Sequence, residues 1–265
     1  MPKNNQTKKT KYAKDINYSS KISLNIYGRQ PLLEALRSDV EIKEVWLSDG
    51  LSGPSVHQIQ ELIKTKEVPS RLSRKDDLQK LVGPVVHQGV AASIVLNTIP
   101  DEEALLKFLA GKDNPLVLIL DQIQDPHNLG AILRTAEISG VQAVIFPFKG
   151  SAELNATVAK TSAGAMFYIP IYRSRELMET FDNLKSINLK LLATLPRAQQ
   201  SMYQTNFKQG CAILVGNEGQ GVRKNLLPFC DETLYIPQFG KVQSLNASVS
   251  TAVVLYEALR QRHFK

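Results

Sequence analysis

Cysteine is scarce in this chain: Cys211 and Cys230 are the only two among 265 residues. A disulfide scaffold is therefore excluded, and neither cysteine has partners at metal-ligating spacing. Cys211 reads as a small buried apolar residue opening a strand, and Cys230 as part of an amphipathic turn. No stretch approaches the roughly 18 continuous apolar residues that a membrane span needs. No apolar block follows the lysines of the first twenty residues, so no secretory signal is predicted. The expected compartment is the reducing cytoplasm, with no membrane partner. His57, His87, His127 and His263 show no metal spacing, and neither H-E-x-x-H nor a G-x-S-x-G elbow occurs. Metal-ligand and hydrolase-triad patterns are thus lacking.

What remains is an ordinary globular composition. An apolar content of 43% is too high for wholesale disorder, and the length allows two domains. The formal net charge of +7 is concentrated at one end. Lys3, Lys8, Lys9, Lys11, Lys14 and Lys21 face only Asp15 within residues 1–21, while the body is nearly balanced. That stretch reads as a disordered basic tail. It suits either a solubilising role or a phosphate-seeking arm, and charge alone does not choose between them.

Residues 22–97 predict a small α/β unit. A helix is expected over Pro31–Arg37, a strand at Val45–Leu47, a helix over Val56–Lys64, and β structure at Val85-Val86 and Val90–Leu96. A bridge, residues 98–114, holds a short helix at Glu102–Leu109. Residues 115–265 then alternate strands and helices. Leu116–Leu120 is a continuous apolar run, the mark of a strand buried on both faces. A helix over Leu129–Ser139 follows, then a strand over Val141–Phe146, a helix near Ala152–Ser162 and a strand at Phe167–Ile171. Next come a helix over Arg175–Lys185 and strands at Leu189–Ala193, Ala212–Val215 and Thr233–Ile236. A last helix covers Ala247–Arg260. The pattern predicts an α/β fold with a mostly parallel sheet covered on both faces.

Three loops fall where such sheets bind ligands, beyond the carboxyl ends of strands. The first runs from Asp121 to Asn128 into a helix. There Leu129, Ile132, Leu133 and Ala136 make an apolar face, with Gly130, Arg134 and Glu137 opposite. The bare backbone at Gly130 would let a bulky substrate approach Arg134. Equally, Asn128 fits a helix cap and Arg134 a solvated surface position. The second, Val215–Gly221, carries three glycines around Glu218 but matches neither of the common nucleotide-phosphate motifs. It suits a backbone cradle for a flat ligand or a plain glycine turn. The third, Ile236–Ser250, feeds polar residues into an almost wholly apolar helix, whose start is therefore expected inside the protein. Ser244 and Asn246 fit either a cap or a ligand-facing notch.

Together, D-P-H-N-L-G-A-I-L-R-T-A, L-V-G-N-E-G-Q-G and I-P-Q-F-G-K-V-Q-S-L-N-A-S-V-S resemble the three motifs of the SpoU (TrmH) branch of the SPOUT RNA methyltransferases, in order and spacing. The resemblance covers about residues 115–262. Tyr27–Leu36 and His87–Val90 resemble that family's ribosomal-protein-like substrate-binding domain. The resemblance implies a deep trefoil knot, S-adenosylmethionine as methyl donor, a homodimer with active sites near its interface, and RNA as substrate. The implied acceptor is a guanosine ribose of large-subunit ribosomal RNA, with transfer RNA or a non-catalytic RNA-binding role as alternatives. Carried over by motif, Arg134 matches the catalytic arginine, with Asn128, Glu218, Ser244 and Asn246 at the other polar positions of the active site. The donor pocket would be formed by Thr194, Leu195, Val215, Gly216, Gly219, Ile236, Gln238, Ser244 and Leu245. Gln238 and Ala247 depart from residues common in the family. Lys149, Lys160, Arg173, Arg197, Arg223 and Lys241 are expected along an RNA phosphate track.

Overall fold

The computed structural model describes residues 20–217, 219–241 and 244–264. The basic stretch 1–19 lies outside the described residues. Lys21, assigned to the tail by sequence, instead opens the first strand of a sheet, and the Ser20 carbonyl before it accepts the Thr98 backbone N–H.

The first sheet has four strands: β1 (Lys21–Tyr27), β2 (Glu41–Ser48), β3 (Ser70–Ser73) and β4 (Val90–Asn97), in the order β1-β4-β2-β3. Helices α1 (Arg29–Arg37) and α2 (Pro54–Thr65) cover one face through Leu32, Leu36 and Ile59. Helix α3 (Lys75–Val82) covers the other through Leu78 against Trp46. The expected β structure at Val85-Val86 is absent. There the chain makes two tight turns, with Val85 bonded to Gly83 and His87 to Val85, before Gln88 enters a left-handed conformation.

The bridge is a packed segment. Ile99 pairs with Tyr172, and helix α4 (Glu102–Ala110) buries Leu105 and Leu109 in the second core. Asp101 caps that helix by accepting the Ala104 N–H.

The second sheet comprises β5 (Leu116–Asp121), β6 (Ala143–Pro147), β7 (Ile171–Ser174), β8 (Lys190–Thr194), β9 (Gln200–Ser201), β10 (Cys211–Gly216) and β11 (Glu232–Tyr235). Its order is β7-β6-β5-β10-β8-β11-β9, and every neighbouring pair runs parallel. The chain first builds outward from β5 to β7. It then crosses over, and β10 enters between β5 and β8. The direction of winding therefore reverses at the β5–β10 boundary. Helices α5 (Pro126–Ile138), α6 (Ala156–Thr161), α7 (Leu177–Ser186) and α8 (Ala247–His263) complete the layers.

Three boundaries differ from expectation for local reasons. Asp125 caps α5 and Pro126 occupies its first turn, so the helix starts ahead of Leu129. Asn155 caps α6, which delays its start to Ala156. Gly164 turns the chain left-handed at φ 88° and Pro170 has no N–H to give, so residues 165–167 form a short 3₁₀ turn and the strand begins at Ile171.

The two sheets share packing. Glu34 on α1 accepts a hydrogen bond from the Tyr168 hydroxyl at 2.7 Å. Lys160 on α6 reaches the Val86 carbonyl and lies over the Tyr27 ring. Burial lowers the Lys160 pKa.

Candidate active site

The first and second loops are tied at two places. Asp121, at the end of β5, is fully buried. Its carboxylate accepts the Arg223 backbone N–H at 2.9 Å and the Arg223 Nε at 2.8 Å. One residue on, the Gln122 carbonyl accepts from Asn217 Nδ2 at 3.0 Å. Asn217 also organises the second loop itself. Its Oδ1 accepts the Gly219 N–H at 2.8 Å, and its carbonyl accepts the Gly221 N–H at 2.7 Å. Gly216 is required for that tight return, because a Cβ there would sit 2.2 Å from the Gly221 carbonyl carbon. Glu218 lies outside the described residues.

The first and third loops also meet. Asn246 Nδ2 donates to Asn128 Oδ1 at 3.1 Å. The Asn246 Oδ1 caps α8 by accepting the Ser248 and Val249 N–H groups. Asn246 therefore fills the capping role, one of the two the sequence allowed, and it also reaches Asn128. Asn128 is not a cap, since Asp125 fills that role.

Between the second and third loops lies a cavity of about 360 Å³. Thr194, Leu195, Val215, Gly216, Gly219, Ile236, Gln238, Ser244 and Leu245 all line it. Asn217, Gly221, Val222 and Ala247 add to the wall. One polar atom in it stands out: Thr194 Oγ1 is buried and has no hydrogen-bond partner among the described residues. A buried hydroxyl without a partner calls for an explanation, and a ligand in the adjoining cavity would supply one.

Arg134 is exposed on α5 and does not line this cavity of its own chain. The reading of Gly130 is corrected. Gly130 is buried against α6, and a Cβ on it would lie 1.8 Å from Thr161 Oγ1. Its lack of a side chain serves helix packing rather than substrate approach. The start of α8 is also corrected: Ser244, Leu245 and Asn246 are exposed, as are Val249 and Tyr256 along the helix.

The six expected phosphate-contacting cations divide evenly. Lys149, Arg197 and Lys241 are exposed. Lys160 is held between the sheets, Arg173 is buried against Glu153 and Phe148, and Arg223 is spent on Asp121. A second cavity, about 550 Å³, opens on the first sheet's unit between Arg29, Lys75 and His87, with no acidic residue in its lining.

The sequence placed Asp121 in the first loop, Asn217 in the second and Arg223 among the phosphate-contacting cations, but not the bonds that tie them together. A weak signal existed for Asp121, an acid that ends an otherwise apolar strand. Nothing local announces its bond to Arg223, 102 residues further on.

Residues 115–256 match the SpoU rRNA Methylase family, and residues 25–98 match the RNA 2'-O ribose methyltransferase substrate-binding family. The 23S rRNA (guanosine-2'-O-)-methyltransferase RlmB of Escherichia coli strain K12 is 36% identical over 243 residues, covering 92% of this chain and 99% of that protein. RlmB of Pseudomonas aeruginosa is 38% identical over 239 residues, covering 89% and 96%. The structure of the SpoU methyltransferase AviRb from Streptomyces viridochromogenes, in complex with the cofactor AdoMet, matches with a TM-score of 0.77 at 24% identity. That match covers 91% of this chain and 90% of AviRb, and it is a likeness of fold.

Proposed function

The chain belongs to the SpoU rRNA methylase family, and on that premise we propose that it methylates the 2′-hydroxyl of a guanosine ribose in 23S ribosomal RNA, in the cytoplasm, with S-adenosylmethionine as donor. The observation that carries this reading is the cavity lined by all nine residues assigned to the donor pocket, with the buried Thr194 hydroxyl beside it lacking a partner among the described residues.

The residues present fit the donor. Leu195, Val215, Ile236 and Leu245 offer apolar walls for a flat base, while Thr194 Oγ1 and the Gly216–Gly221 backbone offer polar contacts. The donor supplies an electrophilic sulfonium methyl group when bound. The protein's task is to present a ribose hydroxyl in line and to stabilise the charge that develops as its proton leaves. Arg134 suits the second role. A guanidinium holds its proton in nearly all settings, so Arg134 acts by binding the adjacent phosphate and the developing alkoxide rather than as a base. Asn128, Ser244 and Asn246 hold the ribose, with Glu218 steadying the guanidinium.

Arg134 stands outside its own chain's cavity, and this supports a homodimer in which each arginine serves the cavity of the other chain. The half-exposed apolar side chains of α8, Val249 and Tyr256, with Ile138 of α5, give such a dimer a face to bury. A trefoil knot is consistent with β10 entering the sheet's centre late and with Asn246 reaching Asn128. Residues 22–97, as a ribosomal-protein-like unit, bind the RNA, and the cavity between Arg29, Lys75 and His87 has the charge for it.

The test is transfer of labelled methyl from S-adenosylmethionine to ribosomal RNA from cells lacking the gene, with the modified nucleotide mapped. Label on a guanosine ribose of 23S RNA is the expected result. Label on transfer RNA alone, or none on any RNA, would overturn the reading.

A further inference from the structure

Phe239 is 99% exposed, more than any other large apolar side chain among the described residues. It follows Gln238, which lines the donor cavity together with Ser244. Strand β9 runs parallel to β11, and the register sets Ser201 beside Tyr235. The chain leaving both strands therefore emerges on one rim. Tyr203, two residues past β9, is 63% exposed on that rim. Lys241 is exposed in the loop that leaves β11, and Arg197 is exposed in the connection between β8 and β9. No Asp or Glu occurs in residues 194–206 or 236–246.

A lone exposed aromatic needs no explanation. Two on one rim, flanked by cations, free of acids and bordering a ligand cavity, have the composition of a surface that stacks unpaired bases and tracks phosphates. We propose that Phe239 and Tyr203 form a stacking platform for an unpaired base of the RNA beside the acceptor nucleotide, with Lys241 and Arg197 taking the flanking phosphates. The inference rests on the RNA methyl-transfer reading and assigns part of its substrate site. A single-stranded or splayed RNA segment is required, because a base is free to stack on a side chain only when it is out of its helix. A symmetric contact with a second copy is the rival occupant. It is disfavoured because it would bring the same cations of two chains together.

The experiment uses the full chain, S-adenosylmethionine and unmodified 23S RNA. Phe239→Ala and Tyr203→Ala should each raise the KM for RNA about tenfold, the scale of one lost base stack. Calorimetric affinity for S-adenosylmethionine and the sedimentation coefficient should not move. Phe239→Trp should keep the wild-type KM, and its emission, corrected with the wild type for Trp46, should be quenched by RNA. An unchanged KM in Phe239→Ala, or no quench in Phe239→Trp, overturns the platform. So does an altered sedimentation coefficient, which would assign the rim to a chain–chain contact. If the wild type transfers no methyl to RNA, the methyl-transfer reading fails, while the quench still reports whether the rim stacks bases.

Discussion

The bond between Asp121 and Arg223 offers a sharp perturbation. Arg223→Ala leaves the backbone N–H that reaches the carboxylate at 2.9 Å and removes only the Nε contact at 2.8 Å. A hydrogen bond to a charged group is worth about 1.5–3 kcal/mol. Stranding a fully buried charge costs about 3–5 kcal/mol. The lower range applies, because one donor survives and the arginine side chain is itself a third exposed, so water can enter. The expected loss is about 2–3 kcal/mol, or roughly 4–10 °C in Tm for a chain of this size. The functional consequence is local. Arg223 anchors the far end of the loop whose near end is Gly216, so the cavity proposed for the donor loses one wall's position. Thermal unfolding and titration with S-adenosylmethionine, run side by side, should show lower stability together with weaker donor binding. The double variant Asp121→Ala/Arg223→Ala should cost less than the two single losses added, since each single change strands the other partner. Wild-type Tm and donor affinity in Arg223→Ala would refute the reasoning.

Other outcomes follow from the same geometry. Gly130→Ala should destabilise the chain by about 1–3 kcal/mol or more through overpacking against Thr161, with partial relief by Thr161→Ala; urea unfolding of the singles and the double reads this. Gly216→Ala, whose Cβ would meet backbone atoms of Gly221 and Val222 near 2.2 Å, should abolish donor binding in calorimetry. Burial, with the nearby Glu102 carboxylate, pushes the Tyr172 phenol up from its ordinary 10.0 to about 12. The unfolded chain therefore ionises first. Stability should be full below pH 10 and decline toward pH 12, and Tyr172→Phe should lessen that decline in pH-dependent unfolding.

The parallel sheet was legible because its central strands, Leu116–Leu120 and Ala212–Val215, are unbroken apolar runs that only a doubly covered sheet accommodates. The loops were legible because glycines and short polar residues interrupt those runs at strand ends. Strand β1 went unread despite the alternation of Ile22, Leu24 and Ile26, and α3 because Leu78 alone of its residues is buried. Gly130 was misplaced for a plain reason: a residue with no side chain gives no sign of which helix face it occupies. The apolar pattern of α8 promised burial, yet part of its surface stays open in a single chain. Periodicity reports that a face will be covered, not by which molecule. The Asp121–Arg223 pair is invisible locally, since its partners are joined only when β10 enters beside β5.

The central claim concerns one pocket that seats a methyl donor within reach of a guanidinium. Arg134→Ala tests it most directly, with donor titration and methyl transfer measured on the same preparation. The account predicts near-wild-type affinity for S-adenosylmethionine and a collapse in transfer to RNA. Undiminished transfer, or a wild-type chain that does not bind the donor at all, would contradict it.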